Sequence, residues 1–327
     1  MDSSTPAISI LTPVWNGLPY IRECVESVFS QEFKDWEFII SDNGSTDGTR
    51  DYLDSLTDAR VRIFKQEQNL GIQGNLNFLI SKANAPVAYI LCADDYFYEG
   101  GLGRAVAEWS TVSPDTAFIA FNWKDAINHS ALAKFSYEVI PKKIEPRTSR
   151  FVFFLFGNVS GNLSNVSAKV STLKASGGFN KQLRQTLDFE LWSRIARDHP
   201  MVLSDTATAF VRVHENAATA YMNTKGQRFA EDLVIYEKLI EELLPYVDRG
   251  KLLTYVNIEI ASFHLRDAIK AALHGRFARM ANFMETKSSI TWPKWKQLIL
   301  CLPFALSESG RHKLLMKMSN DIMKLNQ

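Results

Sequence analysis

Two adjacent carboxylates, Asp94 and Asp95, close the apolar run 88–93, and Tyr96, Phe97 and Tyr98 follow them. A buried strand that ends in acids delivers them to the carboxyl edge of a sheet, where open α/β sheets bind ligands. Two carboxylates there repel each other unless a cation shares them, and oxygen ligation suits Mg²⁺ or Mn²⁺. The same pair also fits a strand-to-helix turn with an aspartate as N-cap. The stretch alone leaves the two readings level. Other strand ends carry similar chemistry: Pro13 and Asn16 after the first, Asp42 and Asp47 after the second. Asp or Asn beside Gly at such ends can bind ribose hydroxyls or base edges, while the acids of the fourth strand face a diphosphate. Each of these is more often a turn residue than a ligand; their number at one edge shifts the balance toward a nucleotide site.

Positioning these residues requires a parallel sheet. Residues 8–11 form a short strand run that stops at Pro13, with Asn16-Gly17 as a turn. Over residues 20–29 the apolar positions recur at helical spacing. Residues 36–40 read as the second strand, 61–64 as the third and the acid-tipped run as the fourth, with helices through Tyr52 and Leu56 and from Asn69 to about Ala83 between them. This alternation predicts an α/β fold, a mostly parallel sheet flanked by helices with a Rossmann-like nucleotide-binding half. Further on, 102–109 reads as helix, 117–121 as strand, 124–146 as an aperiodic insertion, 151–156 as an aromatic helix start and 164–173 as strand then helix. Asp188 stands as an N-cap before an amphipathic helix. Residues 209–213 read as a strand finishing at His214, with Phe210, Arg212 and His214 on one face. From about Gln227 the pattern is helix only, through 230–244 and 252–273, which predicts an all-helical extension beyond a soft boundary near Ala220.

The formal charge of +1 gives no reason to expect a nucleic-acid partner. Three cysteines, Cys24, Cys92 and Cys301, lie far apart in apolar segments and read as buried thiols without a disulfide framework or zinc spacing. The polar N-terminus and the lack of an apolar run near ~20 residues predict a cytoplasmic protein without a signal peptide or spanning helix. The strings Asn162-Leu-Ser164 and Asn165-Val-Ser167 then carry no glycosylation meaning. Gly101-Leu-Gly103 begins like a dinucleotide fingerprint but lacks the third small residue, and no Gly-Lys-Ser/Thr loop occurs, which disfavours a dehydrogenase or an NTPase. From Lys287 onward there are seven Lys/Arg against two Asp/Glu around Trp292, Trp295 and an apolar run. That composition suits an interfacial membrane helix, although a terminal helix packed on its own domain is the commoner origin of such a run.

The string Ile-Ser-Ile-Leu-Thr-Pro13-Val-Trp-Asn16-Gly resembles the opening strand of family 2 glycosyltransferases of the GT-A fold. Asp42-Asn43-Gly-Ser45-Thr-Asp47-Gly is similar to that family's second-strand turn, and Asn69-Leu-Gly71-Ile-Gln-Gly-Asn75 to its third signature. Asp94-Asp95 takes the place of its Asp-x-Asp motif. Gly177-Gly178-Phe179, Asp188 to Trp192, and Arg212-Val-His214 resemble its acceptor-side signatures, so the likeness runs over about residues 7–220. The resemblance implies an inverting, metal-dependent transferase that moves one sugar from a nucleotide-diphosphate sugar to a glycan or lipid-linked acceptor, as in bacterial surface polysaccharide. It implies Mn²⁺ or Mg²⁺ on Asp95 and His214 and Asp188 as general base. Donor contacts are implied at Pro13, Asn16, Asp42, Asn43, Ser45, Asp47, Asn69, Gly71, Asn75, Asp94 and Arg212. The transferase domain would span 1–222, with a donor half at 1–123 and an acceptor half at 147–222. The helical extension 223–327 would carry a basic, Trp-bearing tail to the inner face of a membrane.

Three departures bear on specificity. Cys92 stands where relatives often carry a further acid, Leu187 where many have Glu before the base, and Asn43 where a second Asp is frequent. UDP is the expected nucleotide, with dTDP or GDP as alternatives. No Gln-x-x-Arg-Trp string follows Asp188, which argues against a processive synthase. One rival is a sugar-nucleotide pyrophosphorylase, which would need a Gly-rich basic loop after strand one that Pro13-Val-Trp-Asn-Gly does not supply. Another is a non-catalytic nucleotide-sugar or glycan-binding module.

Overall fold

The computed structural model describes residues 5–124, 138–214 and 228–326. Its strands are β1 (Ile8–Val14), β2 (Trp36–Asp42), β3 (Val61–Lys65), β4 (Val87–Ile90), β5 (Tyr96–Phe97), β6 (Phe118–Ala120), β7 (Lys143–Ile144), β8 (Val166–Lys169), β9 (Met201–Leu203) and β10 (Ala209–Phe210). The helices of the first part are α1 (Tyr20–Phe29), α2 (Thr49–Asp54), α3 (Gly71–Lys82) and α4 (Gly101–Trp109), followed by α5 (Pro146–Phe156), α6 (Val170–Ala175) and α7 (Leu187–Ala196). Then come α8 (Arg228–Leu243), α9 (Arg249–Val256), α10 (Ser262–Leu273), α11 (Ala278–Glu285), α12 (Lys294–Leu306) and α13 (Glu308–Met323). A π turn, Asn257–Ala261, joins α9 to α10.

Two compact units result. The first comprises Met1–Ile127, Pro141–Pro146 and Asn158–Val213; the second comprises Asn128–Ile140, Arg147–Gly157 and His214–Gln327. The sequence boundary near 220 to 222 lies outside the described residues.

The first unit is built on one mixed sheet of order β3-β2-β1-β4-β8-β6-β9-β7. β1 runs parallel to both β2 and β4, and β2 parallel to β3, in register Val14 with Asp42 and Leu11 with Ile90. Strands β1 to β4 therefore form a wholly parallel stretch, and the acid-bearing strand ends share one edge. Beyond β4, β8 enters antiparallel between β4 and β6, and β9 pairs parallel with β6. Alternate side chains explain the layering. Ile8, Ile10 and Val14 with Phe38, Ile40 and Tyr89 meet Ile21, Cys24, Val25 and Val28 of α1 in one core. α3 buries Leu76, Leu79 and Ile80.

The opposite end of the strands carries a buried carboxylate. Glu37 accepts hydrogen bonds from Ser9 Oγ (2.6 Å), Asn84 N (2.7 Å), Asn84 Nδ2 (3.0 Å) and Arg62 Nη1 (2.8 Å). Desolvation works to raise this carboxyl, but the bonds from Ser9, Asn84 and Arg62 outweigh it and hold it below the ordinary range.

Several local expectations are corrected. Residues 124–146 are not wholly aperiodic, since Lys143–Ile144 adds an antiparallel edge strand to β9; residues 125–137 lie outside the described residues. The strand expected over 209–213 ends at Phe210 and pairs antiparallel with β5 outside the main sheet. Phe151 to Phe156 close a helix rather than open one. Asp188 is not an N-cap: α7 begins at Leu187 with Thr186 in the cap position, so Asp188 sits in the first turn. Cys92 is half-buried, whereas Cys24 and Cys301 are buried, and all three are free thiols.

The second unit is helical among its described residues. Tyr255 donates to the carbonyl of Leu155 (2.6 Å), and Phe154 packs on Tyr236 and Tyr255, which seats α5 against α8 and α9. Asp248 caps α9 by accepting from Lys251 N (3.1 Å). Among the described residues no helix is long and apolar enough to cross a membrane.

Candidate active site

The site begins where β1 and β2 end. Asn16 takes a left-handed φ of 49°, tolerable for a short polar side chain. This lets its Oδ1 accept from Thr46 N (2.8 Å) while its own N–H donates to Ser45 Oγ (2.8 Å). Asp47 accepts from Leu18 N (3.1 Å) and from Thr49 Oγ1 (2.6 Å) and N (3.1 Å). Desolvation alone would raise the Asp47 carboxyl, yet these bonds prevail and hold it below its usual range. Pro13 lies within β1 in register with Ser41, so the β1 and β2 turns are stitched side by side.

Asp42 is wholly buried and its carboxylate is occupied within the protein. Ser45 N donates to both oxygens (3.2 and 3.3 Å), and Arg50 Nε donates to Oδ2 at 2.6 Å. Arg50 also reaches the carbonyl of Gln66 (2.6 Å), which fixes the guanidinium between β2 and the chain after β3. Asn43 is committed in the same way. Its Oδ1 accepts from Leu70 N (2.8 Å), and its Nδ2 donates to Asn69 Oδ1 (2.9 Å) and to the carbonyl of Gly71 (3.3 Å). Asn69 accepts in addition from Gly71 N (2.8 Å), and Gly71 has φ +72°. Asn75 Nδ2 donates to the carbonyl of Ser41 (2.9 Å), while its buried Oδ1 has no partner. These residues thus clamp α3 onto the end of β2.

The acids lie in the turn after β4. Leu91 N donates to the carbonyl of Leu11 (3.0 Å), Cys92 N to Ser164 Oγ (2.8 Å) and Asp95 N to the carbonyl of Cys92 (3.0 Å). Asp95 is buried, and Asp94 half-buried. Ligand atoms of Cys92, Asp94 and Asp95 all lie within 4.8 Å of one another, the group of this kind among the described residues. Burial, then the neighbouring Asp94 charge, push the Asp95 carboxyl up to about 6, against the pull of Ser164 and Arg212. A divalent cation would reverse both raising effects, so this pair suits a hard metal ion. Cys92 does not replace the missing acid, because burial and the two aspartates raise its thiol well above the ordinary value, and hard cations take oxygen.

Arg212 reaches this turn from β10. Its N–H donates to Asp95 Oδ1 (2.8 Å) and its Nε to the carbonyl of Asp94 (3.0 Å). Its guanidinium pairs with Glu23 and lies over the rings of Tyr20 (5.0 Å) and Tyr96 (5.6 Å). The segment before it is held by Tyr89, whose hydroxyl bridges the carbonyl of Ser164 (2.7 Å) and Thr208 Oγ1 (2.6 Å). Gly101 belongs to the same contact. A Cβ there would meet Thr208 O at 2.1 Å, so this glycine serves close backbone approach, not phosphate binding.

Asp188 is half-buried on α7. Its Oδ2 accepts from Asn158 Nδ2 (3.0 Å) and its Oδ1 from Phe189 N (2.8 Å). Arg194, on the same helix, chelates buried Glu190 (2.8 and 3.0 Å) and donates to the carbonyl of Gly178 (2.7 Å). Asn77 then grips Phe179 through both main-chain groups (2.7 and 2.9 Å), and a Cβ on Gly178 would strike its Oδ1. The acceptor-side motifs are thereby tied to α3. His214 lies just past the end of the first unit, outside the cluster of Cys92, Asp94 and Asp95.

No motif in the sequence singles out Arg50, Asn77, Asn158, Ser164 or Arg194. Gln73, Asn75 and Asn77 were visible as polar residues inside an apolar helix, and Ser164 sat in a string set aside as an unused glycosylation site. Arg50 and Arg194 carried no local signal.

Residues 9–160 match the family model described as Glycosyl transferase family 2. The putative teichuronic acid biosynthesis glycosyltransferase TuaG of Bacillus subtilis is 36% identical over 97 residues, which are 29% of this chain and 38% of that protein. The fold resembles S. aureus TarS 1–349 in complex with UDP-GlcNAc, with TM-score 0.57 and 17% identity over 98% of this chain and 89% of that one. It also resembles the mannosyltransferase PcManGT from Pyrobaculum calidifontis in complex with GDP-Man and Mn²⁺, with TM-score 0.57 and 17% identity over 99% and 86% of the two chains.

Proposed function

We propose that this protein is an inverting glycosyltransferase that moves one sugar from a nucleotide-diphosphate sugar to a hydroxyl of a glycan or lipid-linked acceptor, in the synthesis of a bacterial surface polysaccharide. The observation that carries the reading is the Asp94-Asp95 turn, set beside the β1 and β2 turns at the parallel edge and pinned by the Arg212 amide. Asp95, with Asp94 beside it and His214 as the further candidate, would hold Mn²⁺ or Mg²⁺. A bound cation would offset charge on the departing diphosphate.

In this reading Asp188 takes the proton of the acceptor hydroxyl, and that oxygen forms a bond to the anomeric carbon. The bond from that carbon to the diphosphate oxygen breaks with its electron pair leaving on the diphosphate, which inverts the centre. Asn158 orients the base. Pro13, Asn16, Ser45 and Asp47 form the donor edge with Asp94 and Arg212. Asp42, Asn43, Asn69, Gly71 and Asn75 support that edge from within. UDP is the first candidate nucleotide, with dTDP and GDP as alternatives, and the enzyme works at a membrane surface.

The test is release of nucleoside diphosphate from a panel of UDP-, dTDP- and GDP-sugars with an acceptor mixture and Mn²⁺. Asp188→Asn is expected to retain donor binding and lose transfer by at least ~100-fold, the usual scale of general-base catalysis. Transfer at the wild-type rate by Asp188→Asn would refute the base.

A further inference from the structure

Helix α12 is built inside out. Its buried positions are Gln297, Cys301 and Ala305, at spacing i, i+4, i+8. Gln297 accepts from Lys294 Nζ (3.2 Å), and the Cys301 thiol donates to the carbonyl of Asn257 (3.2 Å), so small and polar groups make the inward contact. The outward stripe is Trp295, Ile299, Leu302 and Leu306, exposed by 66, 63, 39 and 70%. Spacings of four, three and four put these on one face. Hydrophobic burial should select the reverse arrangement. A helix that hides glutamine and displays tryptophan, isoleucine and leucine is matched to a second apolar medium.

The surrounding charge says which medium. Helix α13 follows after Ser307 and exposes Lys313 and Lys317 one turn apart, with Asp321 a turn further on and Lys324 exposed just past the helix end. From Lys287 to the end, seven Lys/Arg stand against two Asp/Glu. Lysine is depleted at protein–protein interfaces, whereas a tryptophan-bearing apolar stripe beside lysines suits an anionic headgroup layer. At ~1.5 Å rise per residue α12 is about 20 Å long, shorter than the ~30 Å hydrocarbon core, so it would lie in the interface and not cross it.

We propose that the Trp295-Ile299-Leu302-Leu306 face of α12 docks on an anionic phospholipid bilayer. This rests on the transferase reading for its purpose, bringing the enzyme to a lipid-linked acceptor, but its test stands apart. The full chain is sedimented with vesicles of phosphatidylcholine alone or mixed with phosphatidylglycerol, at low and high salt. Wild type is expected to bind the mixed vesicles, less so at high salt. Trp295→Glu with Ile299→Glu, and separately Leu306→Glu, should lower binding at least ten-fold while keeping the wild-type circular dichroism. Failure of wild type to bind either vesicle overturns the proposal. So does wild-type vesicle binding by the folded variants. A dimer that the variants convert to monomer, with no vesicle binding by wild type, would assign the face to a second copy of the chain and overturn it too. Nucleotide binding, measured on the same samples, is expected to be unchanged by these substitutions; its absence from every sample would sink the transferase reading and leave the vesicle result standing.

Discussion

Replacing Gly101 by alanine sets two physical effects against each other. Gly101 is the first residue of α4, where alanine is intrinsically the better helix former by up to ~1 kcal/mol. Against this, the added Cβ would lie 2.1 Å from Thr208 O and 3.0 Å from Thr208 C, both main-chain atoms. Thr208 cannot retreat freely. It is wholly buried, its carbonyl accepts from Tyr98 N (3.1 Å), its hydroxyl is bonded to Tyr89, and Arg104 holds the carbonyl of Ala207 (2.9 and 3.1 Å). Overpacking of this kind costs about 1–3 kcal/mol, and loss of the Tyr98 bond about 0.5–1.5 more. The net destabilisation is therefore about 1–3 kcal/mol, a fall in Tm of roughly 3–10 °C for a domain of this size. Gly103→Ala supplies the control within the same helix, since a Cβ there meets nothing nearer than Phe33 Cβ at 3.8 Å. That variant should match or exceed wild type. Thermal melting of the three proteins decides the matter, and a Gly101→Ala protein as stable as Gly103→Ala would show that the backbone at Thr208 yields to the added methyl without cost. Because Thr208 leads into Arg212, Gly101→Ala should also weaken metal-dependent nucleotide binding.

Two further perturbations address the sheet that carries the site. Glu37 has its carboxyl held below the ordinary value, so its stabilisation is fully present above the unfolded pKa of about 4.5 and is lost as pH falls through the lower folded value. Glu37→Gln should cost about 2 kcal/mol at neutral pH and flatten the acid limb of the stability curve; an unchanged acid limb in urea titrations would contradict this. Arg50→Ala strips the partner from a wholly buried Asp42. With Arg50 itself 36% exposed and partly screened, the expected loss is about 1–3 kcal/mol. It should be accompanied by weaker nucleotide binding, and equal stability in denaturant melts would show that the Ser45 amide alone supports the carboxylate.

The fold was legible where its signals are local. Apolar runs ending in Asp42 and in Asp94-Asp95, separated by helical periodicity, placed the parallel strands and their shared edge. The reversed strand β8 was not, because nothing in Val166–Lys169 distinguishes antiparallel from parallel pairing. The strand 209–213 was overextended for a related reason: after Phe210 the Arg212 amide is taken by Asp95, 117 positions away, and no pattern within a short window reports that. Asp188 suits a cap by its type, yet Thr186 holds that position. Within the site, residue types pointed to a ligand edge but could not show that Asp42 and Asn43 spend their polar atoms on Arg50, Ser45, Leu70 and Asn69. Long-range pairing decides such roles, and it appears only once the chain is folded.

In the function proposed above, Asp95 helps to hold a cation that in turn holds a nucleotide. This is measured most directly by the thermal shift produced by UDP, dTDP, GDP and their sugars, with Mn²⁺ and with chelator, on wild type and Asp95→Ala. A ligand that binds only the native state stabilises it by RT ln(1 + [L]/Kd), about 2.7 kcal/mol at 100 times Kd, and so raises Tm. A Mn²⁺-dependent rise with at least one nucleotide is expected in wild type, and its loss in folded Asp95→Ala. A rise that is indifferent to Mn²⁺, or that survives in Asp95→Ala, would contradict the proposed role of Asp95.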